Sequence, residues 1–173
     1  MKVSHIIDLD FDEKIVSKDG KYRIGVGAVI EKNGLVFCAK RMDNKSTIHY
    51  DTLQMPQGGL DSGEDLKTAI YREVFEETGI KKDKLEFISR LDDWIYYDLP
   101  LDFQKRIGGK GGQAHIWYHF KFTGENTDVD LNNGTHMAEF SNFYWKKGNE
   151  IVERSIHFKK DLHEKVLRAF GFL

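Results

Sequence analysis

Three glutamates, Glu73, Glu76 and Glu77, fall within one short stretch of the chain, with Glu64 a little upstream. In a helix, side chains three and four residues apart share a face, so these carboxylates would be presented together. Like charges at that spacing cost roughly 0.2–0.5 kcal/mol per pair, and stripping them of water unpaired costs far more. A divalent cation such as Mg²⁺ or Mn²⁺ relieves both problems, because it prefers hard oxygen ligands and is commonly held by a few carboxylates together with substrate phosphates. The chemistry on offer is metal-assisted cleavage of a phosphate-bearing substrate. The plain alternative is a solvated acidic helix face.

Carboxylates used in this way need a rigid carrier. Ser62 is a good N-cap, Asp65 three residues on comes close to a capping box, and Glu64 adds negative charge to the first turn. Gly79 is suited to the left-handed stop, so the pattern predicts a helix over about 62–78. Leu66, Ala69 and Ile70 begin the face on which Glu73, Glu76 and Glu77 follow, apolar first and acidic one turn later. Arg72 reads as a structural residue whose guanidinium forks onto a carboxylate and orients it. Ahead of the helix, Pro56-Gln57-Gly58-Gly59 forms a turn in which glycine lets the backbone approach a phosphate or metal, making Gly58 a candidate contributor.

Composition bounds the rest. A chain of 173 residues reads as a single domain over 21–173 with an acidic extension, a short or flexible arm, over 1–20. No apolar run approaches a membrane span, and the amino terminus is too acidic for a secretory signal, so no membrane partner is expected. Cys38 is the only cysteine, which excludes an internal disulfide and points to a reducing, cytoplasmic setting; its strand position suggests a packed core thiol. A net charge of −2 offers no global attraction for nucleic acid. A polyanion would need local cations, and the candidates are Lys40, Arg41 and Lys45, then Lys105, Arg106 and Lys110, then Lys159 and Lys160. The seven histidines show no zinc-site spacing.

Strands are predicted at Tyr22 to Ile30 and Leu35 to Ala39, joined by an Asn33-Gly34 hairpin turn, then within Leu85 to Leu99, at His115 to Phe122 and at Phe140 to Trp145. Arg41 to Thr52 reads as a polar loop, and Leu101 to Gly112 as a basic, glycine-rich mobile loop. Leu162, Val166 and Phe170 mark an amphipathic closing helix from Phe158 to Phe170. Strands around one internal helix, with another helix at the end, imply an α/β fold with helices on both sides of a mixed sheet.

Gly58, Glu64, Arg72, Glu73, Val74, Glu76, Glu77, Gly79 and Ile80 satisfy every fixed position of G-x5-E-x7-R-E-U-x-E-E-x-G-U, where U is a bulky aliphatic. The chain therefore resembles the Nudix hydrolases. That resemblance implies an α/β/α sandwich and hydrolysis of a nucleoside diphosphate linked to another moiety. Further segments resemble one branch, the RNA pyrophosphohydrolases and dinucleoside polyphosphate hydrolases of bacteria and plants. They are Tyr22-Arg23, Gln54-Met55-Pro56-Gln57-Gly58-Gly59, Gly112-Gln113 before Trp117-Tyr118, Glu139-Phe140 before Trp145, and Phe158-Lys159-Lys160.

The resemblance implies Mg²⁺, or Mn²⁺ in its place, on Glu73, Glu76, Glu77 and Glu139 with Gly58, and a general base drawn from Glu77, Glu76 or Glu139. It implies Arg23, with Arg41 or Lys40, on the phosphates, Gln57 at the substrate, Phe158 stacked on a nucleobase and Lys159 beside it. The bland readings are a loop charge for Glu139 and a packing anchor for Phe158. The implied reaction converts 5′-triphosphate RNA ends to monophosphates, a step that initiates mRNA decay. The alternatives are dinucleoside polyphosphate hydrolysis and a catalytically silent nucleotide-binding module, against which the complete glutamate set argues. The chain departs from the branch at Leu53, where tryptophan is usual, at Ile116, where lysine is common, and in a longer loop from Arg41 to Gln54.

Overall fold

The computed structural model describes residues 1–9, 20–42 and 51–173. Lys45, the middle of the expected Arg41–Thr52 loop and most of the second half of the 1–20 extension lie outside these residues. In chain order the elements are β1 (Val3–Ser4), β2 (Tyr22–Lys32), β3 (Leu35–Arg41), β4 (Leu53–Gln54), β5 (Gln57–Gly59), α1 (Leu66–Thr78), β6 (Leu85–Leu91), β7 (Ile95–Asp98), α2 (Leu101–Gln104), β8 (Gly112–Phe122), β9 (Phe140–Lys146), α3 (Gly148–Glu153) and α4 (His157–Ala169).

The strands form one mixed sheet in the order β1-β6-β8-β2-β3-β4, with β5 on β2, β7 on β8 and β9 on β3. Its spine is the parallel pair β2–β8, in register from Tyr22↔Gly112 to Glu31↔Lys121. Both strands are buried along most of their length, as strands covered on both faces must be. Period-2 alternation sorts their side chains. Val26, Ala28, Ile30, Ile116, Tyr118 and Phe120 pack with Leu66, Ala69, Ile70 and Val74 of α1. Val29 and Trp117 face the other way, with Ile151 of α3 and Leu162, Val166 and Leu167 of α4. Helices on both faces give the expected α/β/α sandwich. Cys38 is buried in the second core, where desolvation pushes its thiol up to about 12.

The β2–β3 hairpin turns at Asn33 and Gly34, both left-handed (φ 54° and 77°), and pairs only at Glu31↔Val36 and Lys32↔Leu35. Beyond those pairs the strands part: β3 turns to β4 and β9, while Gly25–Gly27 of β2 accept β5. That parting places the Gln57–Gly59 strand beside α1.

Three local expectations need correction. The N-cap of α1 is Asp65, not Ser62: its Oδ1 accepts the Thr68 N–H at 2.8 Å, and Glu64 lies before the helix, drawn onto Arg72. The expected arm carries, within residues 1–9, a short edge strand, β1, and is tied down around it; Asp92 N–H donates to Lys2 O (3.0 Å), and Arg90 reaches Ile6 O and Asp8 O. The backbone groups along β6 need partners, and this segment supplies them. The expected 101–112 loop holds a helical turn, α2 and a 3₁₀ turn at Lys105–Ile107, because Phe103 and Ile107 pack toward the second core. Gly79 ends α1 as expected, at φ 71° with its N–H on Phe75 O (2.8 Å).

Candidate active site

Arg72 is the hub of the acidic helix. Its Nε and Nη2 fork onto both Glu64 oxygens at 2.7 Å each, Nη1 reaches Glu73 (2.9 Å) and Glu76 (3.2 Å), and Nη2 also donates to Gly59 O (2.9 Å). One guanidinium thus ties the turn to the helix, which a point-charge ammonium could not do. The fork holds the Glu64 carboxyl below its usual range.

The glycines of β5 allow the turn to lie flush on the helix. A Cβ at Gly58 would stand 2.0 Å from the Glu73 carboxyl carbon, and one at Gly59 would stand 2.3 Å from the Arg23 guanidinium. The Gln57 backbone N–H donates to Glu77 Oε2 at 2.9 Å. Glu77 is only 7% exposed, and burial, then Glu139, then Glu73, push its carboxyl well above the usual range. Burial also raises Glu73, against the pull of Arg72.

Glu73 and Glu77 open into a cavity of about 300 Å³. Its other walls carry Glu139, Arg23, Arg41, Gln57, Phe158 and Lys159. Arg41 stands 3.8 Å from Glu139, whose side chain is 50% exposed. Lys159 is buried; its Nζ donates to Gln54 Oε1 (3.2 Å), and burial, then Arg41, lower its ammonium to about 8 despite Glu77 and Glu139.

Two expected residues lie elsewhere. Glu76 is not on the cavity wall; it pairs with Arg72 and with His136 Nε2 (3.0 Å). Lys40 faces Asp51 at 3.9 Å and is likewise off the wall. Several wall residues, apart from Arg106 among the candidate local cations, had no role assigned from sequence. Tyr97 accepts from Gln57 Nε2 at 2.8 Å; Gln54 receives Lys159; Gln113, Leu99, Phe103, Arg106 and Ile107 complete the far side. Gln54 and Gln113 stood inside family-like segments, which was the available signal. Phe103 stood in an expected loop and carried none.

Among the described residues no three His, Cys, Asp or Glu side chains converge on one point at metal-binding range. The donor chemistry nevertheless suits a hard divalent cation. Glu73, Glu77 and Glu139 share one cavity with the Gly58 turn, and a cation among them would offset the like charges that act on buried Glu77. No described helix is long and apolar enough to cross a membrane.

Comparison with known proteins agrees with this geometry. The NUDIX domain model matches residues 21–170. The RNA pyrophosphohydrolase of Cereibacter sphaeroides (strain KD131) is 40% identical over 152 residues, covering 86% of this chain and 90% of that one. Nudix hydrolase 27, chloroplastic, of Arabidopsis thaliana is 37% identical over 157 residues, covering 87% of this chain and 66% of that protein. Among solved structures, a C. elegans Ap4A hydrolase binary complex superposes with a TM-score of 0.60 at 21% identity, covering 86% of this chain and 96% of that one.

Proposed function

The chain belongs to the Nudix family of hydrolases, and on that premise we propose that it is an RNA pyrophosphohydrolase, converting 5′-triphosphate RNA ends to 5′-monophosphates and so initiating mRNA decay. Nudix hydrolases use divalent metal ions; the ion proposed here is Mg²⁺, with Mn²⁺ as its substitute. Glu73, Glu77 and Glu139, with the Gly58 turn, are the residues proposed to hold it, and Glu76 is the fourth carboxylate of the set. A bound cation supplies Lewis-acid stabilisation of the charge that grows on phosphate as the anhydride breaks.

The protein's own side chains do the rest. Arg23 and Arg41 face the cavity and bind the phosphate chain. Gln57, tied to Glu77 through its N–H and to Tyr97 through its amide, fixes the cavity floor. Phe158 offers a ring to the first base, a contact that tolerates any sequence, and Lys159 stands beside it. Glu139 comes from outside the helix and is half exposed, so it can receive the proton of the attacking water. Lys40 would act from the rim, outside the cavity wall. A solitary buried thiol is in keeping with a reducing cytoplasm.

The observation that carries this reading is the union, in one cavity, of an acidic wall from α1 and an aromatic-basic wall from Phe158 and Lys159. Purified protein with Mg²⁺ should be offered triphosphorylated RNA, diadenosine tetraphosphate, ADP-ribose and a nucleoside triphosphate at equal concentration. Triphosphorylated RNA should give the highest kcat/KM, with pyrophosphate or phosphate released. A higher value for diadenosine tetraphosphate would reassign the substrate to the dinucleoside polyphosphates. No turnover of any of the four would favour a silent binding module.

A further inference from the structure

Two glycines of β2 open a slot one rung inward from the cavity. β2 and β8 pair Arg23 with Gln113, Gly25 with His115 and Gly27 with Trp117. Arg23 and Gln113 line the cavity, whereas His115 and Trp117 are fully buried. The glycines admit these rings: a Cβ at Gly25 would stand 2.7 Å from His115 Nε2, and one at Gly27 would stand 2.6 Å from the Trp117 indole. Along its other edge β2 carries β5, with Gly25 opposite Gly59 and Gly27 opposite Gln57. The slot therefore adjoins the turn that faces the acidic helix.

His115 is an expensive occupant. Neither of its ring nitrogens has a hydrogen-bond partner among the described residues. Desolvation, then Lys159, then Arg23, pull the imidazole down to about 3, so at neutral pH it offers one N–H donor and one lone pair. An apolar ring would fill the slot without leaving two nitrogens unpaired. A complementary acceptor is close by. The Gly58 carbonyl oxygen stands 2.2 Å from the same point, the place of a Gly25 Cβ, that lies 2.7 Å from His115 Nε2. Gly58 follows Gln57, whose backbone N–H holds Glu77 at 2.9 Å and whose side chain donates to Tyr97. The Tyr97 ring in turn meets the His115 ring edge-on, with centroids 5.7 Å apart. The imidazole thus borders the turn at Gly58 and, through Tyr97, at Gln57.

We propose that His115 is a positioning residue for the Gln57–Gly59 turn, carrying its proton on Nε2 and donating it to the Gly58 carbonyl oxygen as the turn settles around bound substrate. Hydrogen bonds that support an active site are often long in the free enzyme and shorten in the complex. Held in this way, the turn keeps the Gln57 N–H on Glu77, so His115 acts on the rate through the backbone and touches no reacting atom. The proposal rests on the reading of this turn and Glu77 as catalytic, and adds the group that braces them from inside the sheet.

The test pairs kinetics with the tautomer. His115→Phe should melt at or above wild type, yet lose about tenfold in kcat with KM little changed, the size of one lost hydrogen bond. His115→Gln, whose amide restores an N–H, should recover most of that loss. If the Phe variant fails to fold, His115→Leu takes its place beside Gln. In protein labelled with nitrogen-15 at histidine, with Mg²⁺ and an RNA bearing an α,β-methylene triphosphate, His115 should show a slowly exchanging Nε2–H with a nuclear Overhauser contact to Gly58 or Gly59. Wild-type kcat in a folded Phe or Leu variant would overturn the proposal, as would a Gln variant no faster than Leu, a loss carried by KM, or a proton on Nδ1. The tautomer is read without turnover, so a failed substrate assignment leaves that arm of the test standing.

Discussion

Glu77 is a carboxylate that folding alone does not favour. It is buried, faces two other glutamates, and has the Gln57 N–H as its compensating backbone bond. Glu77→Gln keeps an acceptor for that N–H while removing the buried charge. With chelator present the variant should therefore melt about 2–6 °C higher than wild type, a gain on the order of 1–2 kcal/mol. Turnover should fall at least a hundredfold. Scanning calorimetry with chelator, beside steady-state kinetics in Mg²⁺, checks both; a lower melting temperature would mean that Glu77 stabilises the fold after all. Gly58→Ala probes the same point sterically. Its methyl would overlap the Glu73 carboxyl, with 2.0 Å separating the carbons, so Glu73 must swing away. Circular dichroism should be unchanged while activity drops at least tenfold. The fixed glycine and glutamates were legible in the sequence because the chemistry leaves no other residue type for those positions. The partition of the glutamates was not legible: helical spacing alone cannot tell that Arg72 and His136 claim Glu76.

At the level of elements, the acidic helix is capped at its start by its own neighbour and held at its finish by groups far away in sequence. Asp65 caps its start, and Asn133 Nδ2 donates to Phe75 O (2.9 Å) and Glu76 O (3.1 Å) at its finish, with Asp130 N–H on Thr78 O. Asn133→Ala should cost about 1 kcal/mol, near 2–4 °C in melting temperature. The loop from Asn133 to Glu139 would loosen with it, so kcat should fall several-fold while KM changes little; thermal melts and Michaelis curves on one preparation test this. Strand identities and the closing helix could be read from period-2 and period-3.6 patterns because β2, β8 and α4 bury consistent faces. Asn133 could not be read, since a single polar residue in a loop announces no distant helix end. The turn at Leu101–Gln104 was hidden for a similar reason: flanking glycines dominate the local signal, and only tertiary contact with the second core explains Phe103.

For the molecule as a whole, two imidazoles deep in the second core set the response to acid. His115 and His163 are fully buried, and desolvation, then Lys159, pulls each down to about 3. In the unfolded chain an imidazole titrates near 6.5. Between those values the unfolded state binds the extra protons, so the stability linked to these groups is complete above about pH 6.5 and declines as pH falls toward 3. Each group contributes up to roughly 1.4 kcal/mol per pH unit across that window. Urea unfolding from pH 7 to pH 4.5 should show a steep loss, and His163→Phe should have a visibly shallower slope whatever its absolute stability. Equal slopes would assign the acid response to other groups. The layout has a further consequence at the sheet margin. Arg90, only 5% exposed, spends its guanidinium on Ile6 O, Asp8 O and Asp92, and Val3 pairs with Leu91. Trimming the first nine residues would strand that cation and bare a ladder of amides along β6. A shortened chain would then tend to zip edge to edge with its twin, so purification tags belong at the opposite terminus.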